Sequence, residues 1–227
     1  MDKSLKEVHE HMLGLALGAL AHANWHANYF SPDNPYWNEL SALQAVHASE
    51  ILIKTRIAQE HPLLIFEHLP KAKDEETLSL RRLVEEGRTF QFSDLPDRLW
   101  ATTGIRLPAI ARYKQFGRLR NAIQHFAVPS DVDVGEETIR FIYEVIDPFI
   151  NKCWGLYAID YNEDYEPYIY LLGGLIRRGI SFLVSPNAAE HETSIENDWP
   201  KGDAAYRKKM TSRFARARKE ASKKAKR

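Results

Sequence analysis

Apolar residues recur at helical spacing along most of this chain, and this periodicity limits its possible folds more than any other feature. In the first segment, residues 3–29, one stripe consists of Leu5, Val8, Met12, Leu15, Ala19 and His22. Residues three and four positions apart share one face of an α-helix, whereas a half-buried strand requires strict alternation. The sequence shows no alternation of useful length. We therefore predict an all-α fold, a helical bundle of about six to eight helices.

Proline and glycine residues mark where the predicted helices end. A proline disfavours helical backbone at the residue before it, so one helix should end before His61-Pro62, and Pro129 should stop a later one. Pro148 should kink its helix, and Gly173-Gly174 should weaken another. The predicted helices cover residues 3–29, 36–60, 74–87, 93–100, 108–127, 135–160 and 166–184.

The formal net charge of zero hides an acidic body and a basic C-terminal end. From Lys201 onward the chain has 12 Lys and Arg residues against 2 acidic residues, a net charge of +10, so residues 1–200 carry −10. We therefore divide the chain into a helical domain, residues 1–200, and a basic C-terminal helix or tail, residues 201–227. The apolar residues that recur at helical spacing in this tail are Tyr206, Met210, Phe214 and Ala217.

Two roles are open for the basic tail. Lys and Arg clusters neutralise the phosphates of a nucleic acid backbone, which predicts RNA binding. The candidate RNA-binding residues are Arg118, Arg207, Lys208, Arg213 and Arg216. The other role is structural, since the tail could be partly frayed in solvent or could neutralise the acidic body.

Cysteine content and the N-terminal sequence indicate the cellular setting. The lone Cys153 excludes an internal disulfide framework and a multi-cysteine zinc site. The first residues, MDKSLKEVHEHML, carry scattered charges and do not resemble a secretory signal. The most apolar run, residues 168–176, is followed by Arg177 and Arg178 and is far shorter than the roughly 20 residues of a membrane span. We expect a cytoplasmic protein with no membrane partner.

Motifs for metals and cofactors are weak. His22 and His26 have the spacing of two metal ligands on one helix face, but no HExxH motif, neighbouring cysteine or neighbouring acidic residue completes a site. Gly173-Gly174 lacks the Lys-Ser or Lys-Thr of a phosphate-binding loop, and no GxSxG motif is present. The sequence therefore predicts neither a metal nor a cofactor.

The segment 108–127 carries an unusual set of polar side chains. At about 100° per residue, its apolar side consists of Tyr113, Phe116, Leu119, Ile123 and Phe126. Asn121 and His125 lie opposite this side, while Arg120 lies at its edge, about 140° from His125. Arg120 and His125 therefore converge only if the arginine stem folds over, if the helix ends near 125, or if a second copy supplies the other half.

The segment 36–60 also carries unexpected polar residues. His47, Glu50 and Lys54 project from the stripe that contains Leu43 and Val46, rather than from the side of Ala48 and Leu52. Charges on an apolar stripe are costly unless they are paired or hydrated. Glu50 and Lys54 could pair with each other at a spacing of four. Alternatively, the stripe borders a wet cleft that faces the helix of Arg120.

The stretch RNAIQH has an arginine followed at once by a polar residue and, after four intervening residues, by a histidine. It resembles the signature of the HEPN superfamily of all-helical domains. SALQAVHASEILIKTRIAQEHP resembles the earlier amphipathic helix of that superfamily, so the resemblance covers residues 36–128. It implies a metal-independent ribonuclease acting as a homodimer, with both Arg-His motifs in one composite cleft. Such domains are frequent in toxin–antitoxin, phage-defence and RNA-processing systems, which implies RNA as substrate and an antitoxin or regulatory protein as a further partner.

Two other Arg-His spacings occur, from Arg118 to His125 and from Arg56 to His61. RNAIQH differs from them in its Asn directly after the arginine and in its position near the end of a late helix. One departure from the superfamily concerns the position two residues after the histidine. A branch that is paired with nucleotidyltransferases has Tyr there, whereas this chain has Ala127, so control by modification of such a tyrosine is not expected.

These residue types suit RNA cleavage without a metal. A histidine can act as general base or acid, and an arginine presents a planar, permanently charged fork to a phosphate. The predicted catalytic residues are Arg120, Asn121 and His125, and the predicted supporting residues are His47, Glu50 and Lys54. We expect an endoribonuclease that leaves 2′,3′-cyclic phosphate and 5′-hydroxyl ends. The alternative is a non-catalytic helical module that binds RNA or a partner protein through its tail.

Overall fold

The computed structural model describes residues 3–29, 31–71, 77–163 and 167–224, and it confirms the predicted all-α fold. The α-helices in the described part are α1 (Lys3–Lys6), α2 (Val8–Asn28), α3 (Trp37–Glu60), α4 (Leu80–Glu86), α5 (Leu95–Thr103), α6 (Ile110–His125), α7 (Val134–Phe141), α8 (Asp147–Trp154), α9 (Pro167–Arg177), α10 (Pro186–Ala189) and α11 (Ala204–Lys224). The 3-10 helices are Pro62–Ile65, Phe92–Asp94, Ala158–Asp160 and Glu192–Asp198. No helix in these ranges is long and apolar enough to cross a membrane.

Helix α3 lies at the centre of the bundle. It packs most extensively against α2 and also contacts α5, α6 and α7. The sequence had placed Ala48 and Leu52 on the side away from the apolar stripe, but both are completely buried. The one-stripe interpretation was wrong here because a helix surrounded by four others buries several faces. Leu40, which the periodicity of this segment also predicts in the stripe of Leu43 and Val46, is exposed instead.

Stacked aromatic rings fix α6 against the rest of the core. Phe116 stacks on Phe141 of α7 with ring centroids 4.1 Å apart, and both side chains are fully buried. Tyr113 stacks on Phe92 at 4.1 Å. Burial of one such side chain stabilises a fold by about 1.5–3 kcal/mol, and offset aromatic pairs contribute further. These contacts hold the face of α6 that is opposite to its polar residues.

The predicted kink at Pro148 takes the form of a π-helical segment. Residues Ile142–Ile146 are π-helical and join α7 to α8 without an intervening loop. A proline lacks the backbone N–H and its ring collides with the carbonyl four residues earlier, so the wider turn before Pro148 accommodates it. Helix α8 ends at Trp154, earlier than predicted, because Gly155 adopts a left-handed conformation at φ 69°.

A two-stranded antiparallel ribbon lies beside α4. Strand β1 (Phe66–His68) pairs with β2 (Arg88–Thr89). Gly87 allows the close approach, because a Cβ atom there would lie 2.4 Å from the Leu83 carbonyl oxygen and 2.7 Å from the Phe66 ring. The helix predicted over 74–87 is shorter, Leu80–Glu86, and residues 72–76 lie outside the described residues.

The basic C-terminal segment forms helix α11 and packs on the body. Tyr206, Met210, Phe214 and Ala217, the residues predicted to share one stripe, are all buried. The Tyr206 hydroxyl donates a hydrogen bond to the Ile180 carbonyl oxygen at 2.7 Å. The apolar stripe therefore docks the helix, and the cationic residues Arg207, Lys208 and Arg216 are exposed, whereas Arg213 is half-buried.

Candidate functional site

Arg120 forms part of the wall between two clefts. The larger cleft, about 490 Å³, is lined by Gln91, Phe92, Ser93, Tyr113, Lys114, Gly117, Arg118, Arg120 and Asn121. The smaller, about 210 Å³, is lined by Leu43, Val46, His47, Glu50, Arg120 and Gln124. The structure thus brings Arg120 and Asn121 of α6 to one cleft, and brings Arg120 to His47 and Glu50 of α3 at the other. The smaller cleft therefore lies between α3 and α6.

Two amide oxygens on its own helix orient the Arg120 guanidinium. Its Nη1 donates to Asn121 Oδ1 at 3.0 Å and to Gln124 Oε1 at 3.1 Å, and the guanidinium carbon lies 5.7 Å from the centroid of the Phe92 ring. Within the described ranges, no carboxylate lies within ion-pair distance of Arg120. The cation is therefore held in position without being neutralised, and it can bind an external anion.

Glu50 and Lys54 form the predicted ion pair. Lys54 Nζ donates to Glu50 Oε1 at 2.6 Å and to Thr89 Oγ1 at 3.0 Å. Lys54 is only 8% exposed, so its charge needs both partners. Thr89 belongs to β2, which means that the pair also ties α3 to the ribbon. Glu50 retains a partly exposed carboxylate at the smaller cleft.

Tyr113 closes the base of the larger cleft as a neutral group. Burial, followed by the nearby Glu50 carboxylate, raises the pKa of its phenol well above the usual value, and Arg120 opposes this shift. The hydroxyl donates to the Phe92 carbonyl oxygen at 2.7 Å. Tyr113 therefore positions Phe92 and does not supply a base at neutral pH.

His125 lies where α6 ends and lines neither of the two clefts. Its side chain is exposed. The structure of one chain therefore does not bring His125 into the clefts of Arg120. Phe126, predicted to be on the buried side of the helix, is 94% exposed. That prediction was wrong because the backbone leaves the helix at Phe126, with φ −152° and ψ −98°, and helical spacing no longer applies.

A third cleft continues from the larger one. It has a volume of about 370 Å³ and shares Ser93 and Lys114 with the cleft of Arg120. Arg106 and the exposed ring of Trp100 also line it. Together the two clefts are lined by cationic side chains, the aromatic rings of Phe92 and Trp100, and the carboxylate of Asp97; the cations are Arg106, Lys114, Arg118 and Arg120. Such grooves suit single-stranded nucleic acid, because backbones follow the cations and bases stack on the rings.

The candidate RNA-binding residues of α11 occupy different environments. Arg213 donates to the Phe182 carbonyl oxygen and is half-buried, while Arg216 pairs with Glu220 at 3.1 Å. Both line a fourth cleft rather than the groove of Arg120. Arg207 lies 5.5 Å above the Trp199 ring, and Lys208 is exposed. Of the five candidate RNA-binding residues, all within the described ranges, Arg118 alone lines the larger cleft.

The second Arg-His spacing, from Arg56 to His61, has a structural explanation. His61 Nδ1 accepts the backbone N–H of Leu63 at 3.3 Å and caps the following 3-10 helix. Arg56 pairs with Glu60 at 2.7 Å. Sequence reasoning missed Gln124 and Phe92 as neighbours of Arg120. The four-residue spacing of Arg120 and Gln124 was a usable signal for the first, whereas Phe92 is brought in by tertiary packing.

Comparisons with known proteins yielded no relative that could assign this groove a function: no family model matches the chain, and neither a curated protein nor a solved structure matches it.

Proposed function

We propose that this protein is a homodimeric, metal-independent endoribonuclease of the HEPN type. The observation that carries the proposal is the position of the Arg120 guanidinium. It is oriented by Asn121 and Gln124 at the wall of a groove, and within the described ranges it forms no ion pair with a carboxylate. The resemblance of RNAIQH to the HEPN signature supplies the reaction class. The cations and exposed aromatic ring along the groove favour single-stranded or loop RNA as substrate.

The reaction follows from the charges that develop on the substrate. One histidine removes the proton of the 2′-hydroxyl, whose oxygen attacks the adjacent phosphorus. Arg120 stabilises the additional negative charge on the phosphorane through its planar N–H fork. A second histidine protonates the departing 5′-oxygen, and the products are a 2′,3′-cyclic phosphate and a 5′-hydroxyl.

A homodimer explains the position of His125. One chain presents its His125 in solvent at the end of α6, outside the clefts lined by Arg120. A twofold axis near this helix end would bring two His125 side chains and two Arg120 side chains to one RNA phosphate. Two histidines are the number that base and acid catalysis require. Toxin or phage-defence roles, with an antitoxin or regulatory partner, rest on the resemblance alone.

Cleavage of a mixed RNA substrate in excess chelator tests the proposal. Arg120→Ala and His125→Ala should each lower the rate by about a hundredfold or more, because each removes charge stabilisation or proton transfer. Arg120→Lys should restore only part of the loss, since an ammonium keeps the charge without the fork. His61→Ala is the matched control and should stay within a few-fold of the parent.

Parental activity from His125→Ala would exclude this site, and a strong loss in His61→Ala would move it to the other motif. Intact RNA with every variant and the parent would favour the alternative, a non-catalytic helical module. End-group analysis adds an independent criterion. Products with 3′-hydroxyl and 5′-phosphate ends would contradict attack by the 2′-oxygen.

A further inference from the structure

Two histidines of α2 and one distant glutamate converge in the described part of the chain. His22 and His26 lie one turn apart with ring centroids separated by 3.8 Å. Glu163, 141 residues after His22, places both carboxylate oxygens 3.0 Å from His22 Nδ1. One ligand atom from each residue lies within 4.8 Å of the others. The sequence showed the histidine pair, but the glutamate that completes the trio is too distant along the chain to be recognised there.

His26 is buried with an unused polar atom. Its side chain is 5% exposed, and its Nδ1 has no hydrogen-bond partner. Leaving such a group unsatisfied costs about 1–3 kcal/mol, so a buried orphan nitrogen needs an explanation. The His26 ring packs between the rings of His22 and Trp37, and its centroid lies 3.6 Å from that of Trp37. A ligand that His26 shares with His22 and Glu163 would explain why an imidazole is retained at this position.

The segment that carries Glu163 is anchored beside the two histidines. Asn24, which lies between the two histidines in the sequence, is completely buried. Its Nδ2 donates hydrogen bonds to the carbonyl oxygens of Ala158 and Tyr161, at 3.2 and 3.0 Å. Its Oδ1 accepts a hydrogen bond from the Tyr143 hydroxyl at 3.0 Å. The backbone that leads to Glu163 is therefore fixed against α2 up to Tyr161, two residues before the glutamate.

We propose that His22, His26 and Glu163 form a binding site for one divalent transition-metal ion, of which Zn²⁺ is the representative. Two imidazoles and a carboxylate are a ligand set that such ions prefer, with a fourth position left for water. Tetrahedral coordination at about 2.0–2.1 Å places ligand atoms roughly 3.3 Å apart. The 3.0 Å separation of His22 and Glu163 is already close to this value, so an ion could replace their hydrogen bond with small movements. His22 and Glu163 are 39% and 46% exposed at the side chain, which provides a path for entry.

Calorimetric titration of untagged, chelator-treated protein with Zn²⁺ tests this site. The parent should bind one Zn²⁺ per chain and gain thermal stability, whereas Mg²⁺ should do neither, because it prefers oxygen ligands. Glu163→Gln and His22→Ala should each weaken Zn²⁺ binding by at least about tenfold, the smallest loss typical for residues that only support a metal ligand. Both substitutions are at accessible positions, so folding should persist and can be checked by circular dichroism.

The histidines near the start of α2 provide the control. His9→Ala combined with His11→Ala removes two histidines from the same helix but leaves the trio intact, so Zn²⁺ affinity should equal that of the parent. Equal affinity in Glu163→Gln and the parent would overturn the proposal, as would loss of binding in the control alone. A parent that binds no Zn²⁺ would leave His22 and Glu163 as an ion pair only. None of these outcomes depends on RNA cleavage.

Discussion

Asp147 is a buried acid that connects two segments of the core. It is completely buried, its Oδ1 accepts the Ala158 N–H at 2.9 Å, and its Oδ2 accepts the Leu183 N–H at 2.8 Å. Burial raises the pKa of this carboxyl to about 7, although both hydrogen bonds and the nearby Arg213 act in the opposite direction. The side chain is thus structural, and its ionisation couples folding to pH.

The sign of that coupling gives a prediction at this residue. Because the pKa is raised from 3.8 in the folded protein, the stabilising contribution of Asp147 is complete at low pH and is lost as pH rises through about 7. Ionisation of Asp147 should therefore lower the free energy of unfolding by up to about 1.4 kcal/mol per pH unit between its pKa in the unfolded chain, 3.8, and its pKa in the folded protein, about 7. Urea unfolding at a series of pH values measures it.

The matched variant is Asp147→Asn, which does not titrate. It should be less stable than the parent at low pH by about 1–3 kcal/mol, because one of the two N–H groups loses its acceptor. The stability difference between parent and variant should shrink as pH rises. A difference that is constant from acid to neutral pH would contradict the raised pKa.

At the scale of single residues, the sequence identified the polar set on α6 but not its surroundings. Arg120, Asn121 and His125 stand out because helical spacing separates them from the apolar side. The amide contact from Gln124 and the aromatic contact from Phe92 depend on side-chain conformation and tertiary packing. Glu163 shows the same limit, because periodicity carries no information about pairs of residues that are distant in sequence.

At the scale of elements, the long helices were predictable and the irregular segments were not. The segments 36–60 and 108–127 correspond to α3 (Trp37–Glu60) and α6 (Ile110–His125), since proline positions set their ends. The π-helical stretch before Pro148 was not predictable in detail. The choice between a kink and a wider turn depends on the packing of Ile142 and Val145, both buried.

Helix α11 combines a buried apolar stripe with an exposed cationic surface. The first suits the structural role expected of the tail, and the second suits RNA binding. Phe214 is fully buried and meets Phe182 edge to face with centroids 6.3 Å apart. Arg218 contacts Glu192 of the body at 2.7 Å. This ion pair is partly exposed, so the buried apolar stripe is the main contact that docks the helix. Deleting residues 201–227 would remove part of the core, so RNA binding has to be tested with surface substitutions.

Replacing Arg207, Lys208 and Arg216 by Gln should weaken RNA binding and flatten its dependence on salt. Each lost phosphate contact should reduce the slope of log affinity against log salt by about 0.7 for single-stranded RNA. Binding would be measured in the His125→Ala background, so that the RNA is not cleaved. Lys71, Arg81 and Arg88 are exposed cations outside α11, and their replacement by Gln controls for a general loss of charge. Equal slopes for the parent and the α11 variant would exclude this helix from the RNA-binding surface.

At the scale of the whole molecule, the geometry of one chain separates the two residues that the proposed reaction requires together. Arg120 lines the clefts between α3, α6 and the segment around Phe92, whereas His125 is exposed beyond them. Neither side chain is deeply buried, so a second copy can reach both without rearranging the core. The proposed activity is therefore a property of an assembly, and subunit mixing should reveal it.

Mixing parental chains with a tenfold excess of His125→Ala chains tests whether the two histidines share one cleft. After subunit exchange, nearly all parental chains should pair with inactive ones, and activity per parental chain should fall by about tenfold by mass action. Excess His61→Ala chains, which keep His125, should cause no such fall. Exchange can be verified with chains of different mass. An unchanged activity per parental chain after verified exchange would mean that each chain cleaves RNA alone, and the second proton transfer would then require a group other than the partner's histidine.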